Sequence, residues 1–138
     1  MFIRVFNAQF YRRLPLSSLF FADSDFKEPL NPDVEPFNRF GRNFEICQWA
    51  PSSYNGQTTR AVAVMDVEGL KRFDFYAVTE SRYYAAVALG IWYANWEMGC
   101  DALGIHGHFA QLPPEERGVQ DENALPKYDL SWVLDENL

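Results

Sequence analysis

The sequence describes one domain that sets short strands around a single long helix. Apolar residues recur at helical spacing at Phe37, Phe40, Phe44 and Cys47, and they crowd residues 81–103 on every side. Residues 60–65, 73–79 and 128–135 are short runs with β-branched and aromatic side chains, of strand length and not helix length. With 138 residues, 48% hydrophobic and 17% aromatic, the chain can build one globular core.

Taken in order, residues 1–35 read as an extended arm. Prolines and turn formers break up Phe20, Phe21 and Phe26, so the arm is pinned by aromatics and not folded on its own. Pro36 fits a first helical turn, and the stripe from Phe37 to Cys47 continues as a helix that Gly41 weakens and Pro51 ends. A polar turn follows, then a strand over 60–65. Residues 67–72 read as a turn or a short helical piece before the strand at 73–79. The long helix over 81–103 ends at Gly104, which is well placed as its C-cap. Residues 105–109 make a short strand, 110–127 a long acidic loop with the length of a lid, and 128–135 a closing strand.

The long helix is unusual. A helix apolar all round is buried all round, and a small two-layer domain cannot cover it on every side. A second copy or another chain is expected to cover the remainder. Gly90 lies mid-helix, where glycine costs about 1 kcal/mol against alanine, so a close approach by a partner helix is expected there.

Composition excludes several classes. The net charge is −7, and Lys and Arg cluster no further than pairs such as Arg12-Arg13, so neither nucleic acid nor an anionic membrane surface is an expected partner. The longest uncharged run, residues 83–96, is too short to span a bilayer and contains Asn95. Cys47 and Cys100 have no zinc or disulfide-framework spacing and read as buried small side chains. With no apolar leader in the first residues, a cytoplasmic setting is expected.

The chemistry concentrates in one stretch. "APSSYNGQTTR" supplies Ser52, Ser53, Asn55 and Gln57, more neutral hydrogen-bonding groups than a helix stop and an Asn-Gly turn require. Two readings remain open: a loop bonded to itself, or a site for a ligand rich in carbonyls and hydroxyls, such as a flavin with its ribityl chain. His106 and His108 alternate and share a face if they lie on a strand, but no third metal ligand accompanies them, so no metal is expected. Glu97 and Asp101 share a helix face and read as a solvated end.

The same stretch, with the strand that follows, resembles the A-P-S-S-x-N-x-Q-P-W-R motif of the FMN-dependent nitroreductase superfamily. Here Thr58-Thr59 stand in place of Pro-Trp. "RRLPLSSLFF", "YYAAVALGIWYANWEMGCDALGIHGHF" and "YDLSWVLD" are similar to the arm, helix-and-strand and closing strand of the second lobe of a two-lobed subgroup. The resemblance covers residues 12–135.

It implies an α+β fold: a nitroreductase-like half-fold with a small, mainly antiparallel sheet and helices around a buried central helix, completed by a second lobe or copy. By motif position, Pro51, Ser52, Ser53 and Asn55 approach the flavin, joined by Gln57. Arg60 is the nearest cation, and Gly104, His106 and Gly107 line the cofactor from the helix-to-strand turn. No Arg-x-Ser-x-Arg phosphate-binding segment is present; Arg12-Arg13 leads instead into Leu-Pro-Leu. The implied activity is reduction of nitro or quinone-type small molecules by NAD(P)H through FMN, in a homodimer or with a separate first lobe. The alternative is a cofactor-free half-fold serving as a subunit or binding module.

Overall fold

The structure is a computed structural model that describes residues 12–118, 124–136 and 138. Its centre is a hairpin of β2 (Thr59–Asp66) and β3 (Gly69–Ala77). Alternation sets the register: Ala61 stands opposite Phe75 and Ala63 opposite Phe73, so small and large side chains fill one face together. The turn needs a glycine at position 69, where φ is +121° and a Cβ would strike the Leu138 carbonyl. Residues 67–72, read above as a turn or helical piece, are thus a hairpin turn and the first rungs of β3.

β5 (Lys127–Leu134) pairs antiparallel with the far side of β3, and β4 (Gly107–Ala110) pairs antiparallel with β5. β1 (Phe20–Phe21) pairs parallel with β2 on the opposite edge, giving the order β1-β2-β3-β5-β4. The domain is α+β, with a mixed sheet that is antiparallel except at β1. The described part of the arm is therefore not wholly irregular, since Phe20 and Phe21 extend the sheet. A two-residue strand leaves no alternation to read.

One sheet face carries α1 (Gly41–Gln48), entered through a 3-10 turn over Phe37–Phe40, and α2 (Arg82–Leu103). Between them and the sheet lies a core of Phe20, Phe40, Phe44, Phe73, Trp96 and Trp132, all buried. Phe73 and Trp96 meet edge-to-face at 4.8 Å, a geometry that suits their quadrupoles. Gly99 lets α1 come close, because a Cβ there would fall on the fully buried Asn43, whose Nδ2 donates to Cys100 Sγ at 3.1 Å.

Both ends of α2 are capped. Ser81 Oγ accepts from the Tyr84 backbone N–H at 3.2 Å. Gly104, at φ +70°, closes a Schellman motif in which Gly104 N–H donates to Asp101 O and Ile105 N–H to Cys100 O. Ala88, Leu89, Trp92, Trp96, Gly99 and Cys100 form its buried face. The opposite face is open: Tyr83 is 74% exposed and Met98 61%, with Val87 and Gly90 exposed between them. Within one chain the helix is thus not buried all round, because sheet and α1 lie on the same side of it.

The reverse sheet face is closed by Phe26, which packs edge-on to Tyr76 at 5.0 Å, and by residues 111–117. That second segment, within the expected acidic loop, forms a short helix, α3 (Pro114–Arg117). Residues 119–123 of that loop, and residues 1–11 of the arm, lie outside the described residues. A chain of bonds that runs into the buried Ser131 and Asp74 ties 111–117 down. Leu112 N–H donates to Tyr128 Oη at 3.0 Å, Tyr128 Oη and Ser131 Oγ share a hydrogen bond at 2.7 Å, and Ser131 donates to Asp74.

Candidate functional site

The stretch singled out above runs from the end of α1 to the start of β2. Its backbone turns sharply: Tyr54, Asn55 and Gln57 have φ of 54°, 53° and 49°, the left-handed region that side chains disfavour. The polar side chains hold it there. Ser52 Oγ accepts from Gln57 N–H at 2.9 Å, closing the turn on itself. Asn55 and Gln57 reach outward to the arm. Asn55 Nδ2 donates to Arg12 O at 2.6 Å, and Gln57 Nε2 donates to the same carbonyl at 3.1 Å. Gln57 Oε1 accepts from Leu14 N–H at 2.8 Å.

The surplus amides therefore lace a distant segment onto the loop, an outcome between the two open readings. The side chain of Ser53 falls outside the described residues, and Pro51 is exposed at the loop's start. Behind the loop, Ser52, Gln57, Thr59 and Trp92 line a void of about 10 Å³, room for a water and no organic ligand. Larger hollows lie elsewhere. One of about 340 Å³ runs beside the first turns of α2, between Arg82, Leu89 and Leu125, and one of about 470 Å³ lies between Pro113, Arg117 and Tyr128.

Two cations meet at the loop. Arg13 Nη1 donates to Asn55 Oδ1 at 2.9 Å and to Ala50 O at 3.2 Å, with its guanidinium 5.3 Å from the Trp49 ring centre. Arg13 Nε is buried with no hydrogen-bond partner. Arg60, expected as the nearest cation, donates to Gln57 O and to Thr59 O at 3.0 Å, and burial lowers its pKa. Sequence reasoning missed Arg13, which lies about forty residues from its partners; only the surplus of amides hinted that something distant had to be bound.

Gly104, His106 and Gly107 sit elsewhere. Gly104 is the exposed cap of α2, and Gly107 packs where any Cβ would meet the Trp132 ring. His106 lies before β4, not on it, because the Schellman turn occupies Gly104 and Ile105. It is exposed, and its carbonyl accepts from Asp135 N–H at 3.0 Å. His108, inside β4, pairs with Asp135 at 2.7 Å, so the two histidines share no strand face. Among the described residues, no group of three or more His, Cys, Asp or Glu is placed to hold a metal.

The separation is large. Tyr54 of the loop touches Tyr84 in the first turn of α2, with ring centres 6.3 Å apart. Gly104 lies twenty residues beyond Tyr84, about 30 Å at 1.5 Å per residue, and twelve beyond Trp92, which lines the void with Ser52 and Gln57, about 18 Å. One chain brings together Ser52, Asn55, Gln57 and Arg60, and it leaves Gly104, His106 and Gly107 at the other end of α2.

Comparison with known proteins yields no relative: no family model, no curated protein and no solved structure matches the chain. Among the described residues, no helix is long and apolar enough to cross a membrane.

Proposed function

We propose that the chain is one lobe of a nitroreductase-like flavin oxidoreductase, working as a pair in which each site is shared by two copies. One observation carries this reading. The two halves of the expected site are separated along α2 by about 18–30 Å, and a helix face beside them is apolar and open. Tyr83, Val87, Gly90, Ala94 and Met98 recur at spacings of four, three, four and four, the seam of a helix pair.

An antiparallel pairing about a twofold axis near Gly90 sets the loop of one copy toward the Gly104 end of the other. It also sets Arg82 of one copy near Glu97 of its mate, opposite charges on exposed positions. A separate first lobe seated on the same face is the heteromeric form of this arrangement.

FMN fits the residues present in part. Arg12, Arg13 and Arg60 are the cations that would hold its phosphate, although none belongs to an Arg-x-Ser-x-Arg segment and Arg13 and Arg60 already bond to the chain's own oxygens. Ser52, Asn55 and Gln57 offer neutral groups near the ring, with Gly104, His106 and Gly107 of the second copy closing the far wall. When bound, FMN supplies the ring that takes a hydride from NAD(P)H and passes electrons to a nitro or quinone acceptor. The chain's own part is to hold the ring, exclude water and position the acceptor.

A second reading has its own support. Asn55 and Gln57 already spend amide groups on Arg12, Arg13 and Leu14, which favours a cofactor-free half-fold acting as a subunit or binding module. FMN fluorescence titration separates the two. Saturable quenching at one FMN per chain is expected; fluorescence that stays linear with added protein favours the second reading.

A further inference from the structure

We infer that Asn55, followed by Gly56, is a deamidation site gated by the arm: Arg12 and Arg13 hold its side chain from reacting, and their release starts its conversion to aspartate and isoaspartate. The inference stands apart from the flavin reading and needs no cofactor.

The chemistry belongs to the residue pair. An asparagine reacts through the backbone nitrogen that follows it, and glycine leaves that nitrogen unhindered because it carries no side chain. The Gly56 nitrogen gives up its proton to water and bonds to Asn55 Cγ. The Cγ–Nδ2 bond breaks, ammonia leaves, and a succinimide ring closes. Water then adds to a ring carbonyl and breaks its bond to the ring nitrogen. Opening at Cγ gives aspartate. Opening at the backbone carbon gives isoaspartate, with the main chain routed through the side chain. In sum a water is consumed and an ammonia released, and no oxidant or reductant takes part.

The structure supplies the gate. The ring closes only if Asn55 Cγ swings over the Gly56 nitrogen, and both ends of the amide are held elsewhere. Nδ2 donates to Arg12 O at 2.6 Å, and Oδ1 accepts from Arg13 Nη1 at 2.9 Å. These partners lie 43 and 42 positions away in sequence. They are anchored in turn: Arg13 by Ala50 O and the Trp49 ring, and Leu14 by the amides of Gln57 and Gln48. Burial adds little protection, since Asn55 is half-buried and Gly56 exposed, so water reaches both. Two bonds of ordinary strength hold the reactive swing to about a tenth of its free population or less.

The product changes the contact that delayed it. A carboxylate has no donor, so an acceptor would face the Arg12 carbonyl where Nδ2 now donates, and Gln57 alone of the two amides would still bond it. A negative charge would appear beside Arg13. The loop's hold on the arm is thus shifted from Arg12 to Arg13.

The test incubates the full chain in mildly alkaline buffer. Mass spectrometry follows the tryptic peptide 43–60, and isoaspartate methyltransferase counts the isoaspartate. Fragmentation separates Asn55 from the buried Asn43 in the same peptide. Folded parent should convert about tenfold more slowly than parent in urea, and folded Arg13→Ala should recover about threefold or more of that difference. Gln48→Ala touches neither Asn55 nor Gly56 but frees Leu14 O, so it should also speed conversion; it replaces Arg13→Ala if circular dichroism shows that variant unfolded. Parent that converts as fast folded as in urea overturns the inference. So does a folded arm variant that converts no faster than parent, or conversion that falls on Asn43 instead of Asn55.

Discussion

Burial decides how the titratable side chains behave. Cys47 and Cys100 face each other's elements between α1 and α2. Burial, and then the charge of Asp101, pushes the Cys100 thiol up to about 12. Burial and the neighbouring Cys100 raise Cys47 well above the ordinary thiol range. Tyr76, on the reverse sheet face, is pushed up to about 12 by burial and by Asp74. Each group is neutral when protonated, and the folded chain favours that form. The stability this confers is complete below the unfolded value, about 8.5 for a thiol and 10 for a phenol, and is lost as pH rises through about 12. The melting temperature should therefore be unaffected by these groups below about pH 8 and fall progressively between about pH 9 and 12. Cys100→Ala should soften that decline, read by calorimetry across the range. A melting temperature constant to pH 11 would show that the burial of these groups is not as described.

At the scale of elements, α2 decides most. Among the described residues, and apart from its own stretch of helix, nothing lies within 4 Å of a Cβ built on Gly90. A lone chain should therefore welcome Gly90→Ala, gaining about 1 kcal/mol of helix propensity. Gly90→Leu should also fold, but in sedimentation it should run as a monomer where the parent runs as a pair. If the leucine variant pairs like the parent, Gly90 is not at a helix crossing. The long helix was legible because its signal is local and strong: Ser81, an apolar run and Gly104 state both ends. β2, β3, β5 and β4 were legible within a few residues for the same reason. What escaped depends on distance or on a single backbone angle. β1 is a strand only because β2 lies beside Phe20 and Phe21. Residues 67–72 hid a hairpin behind Gly69, whose positive φ and close approach to Leu138 are set by the fold and not by its neighbours in sequence. The loop's polar residues could be flagged but not assigned, since their partners Arg12, Arg13 and Leu14 are far off in sequence. Arg13 was visible as half of a basic pair but not as a partner of the loop.

At the scale of the molecule, one fact governs the functional reading: a single chain does not assemble the expected site. Its sheet and α1 cover one side of α2, the loop lies beside helix residues 84–92, about 18–30 Å of helix from the Gly104 turn, and the apolar seam is open. In the proposed pairing, two copies would cover the seam and bring unlike ends together. Covering Tyr83, Val87 and Met98 on each copy contributes roughly 1.5–3 kcal/mol per large side chain, offset by the cost of association. The central claim is that flavin binding and pairing are one event in space. Sedimentation velocity with added FMN, recorded together at 280 and 450 nm, tests it most directly. The expected result is flavin absorbance moving with the two-chain species at one FMN per chain. A chain that sediments alone while the 450 nm signal stays behind, or carries flavin as a monomer, would contradict it.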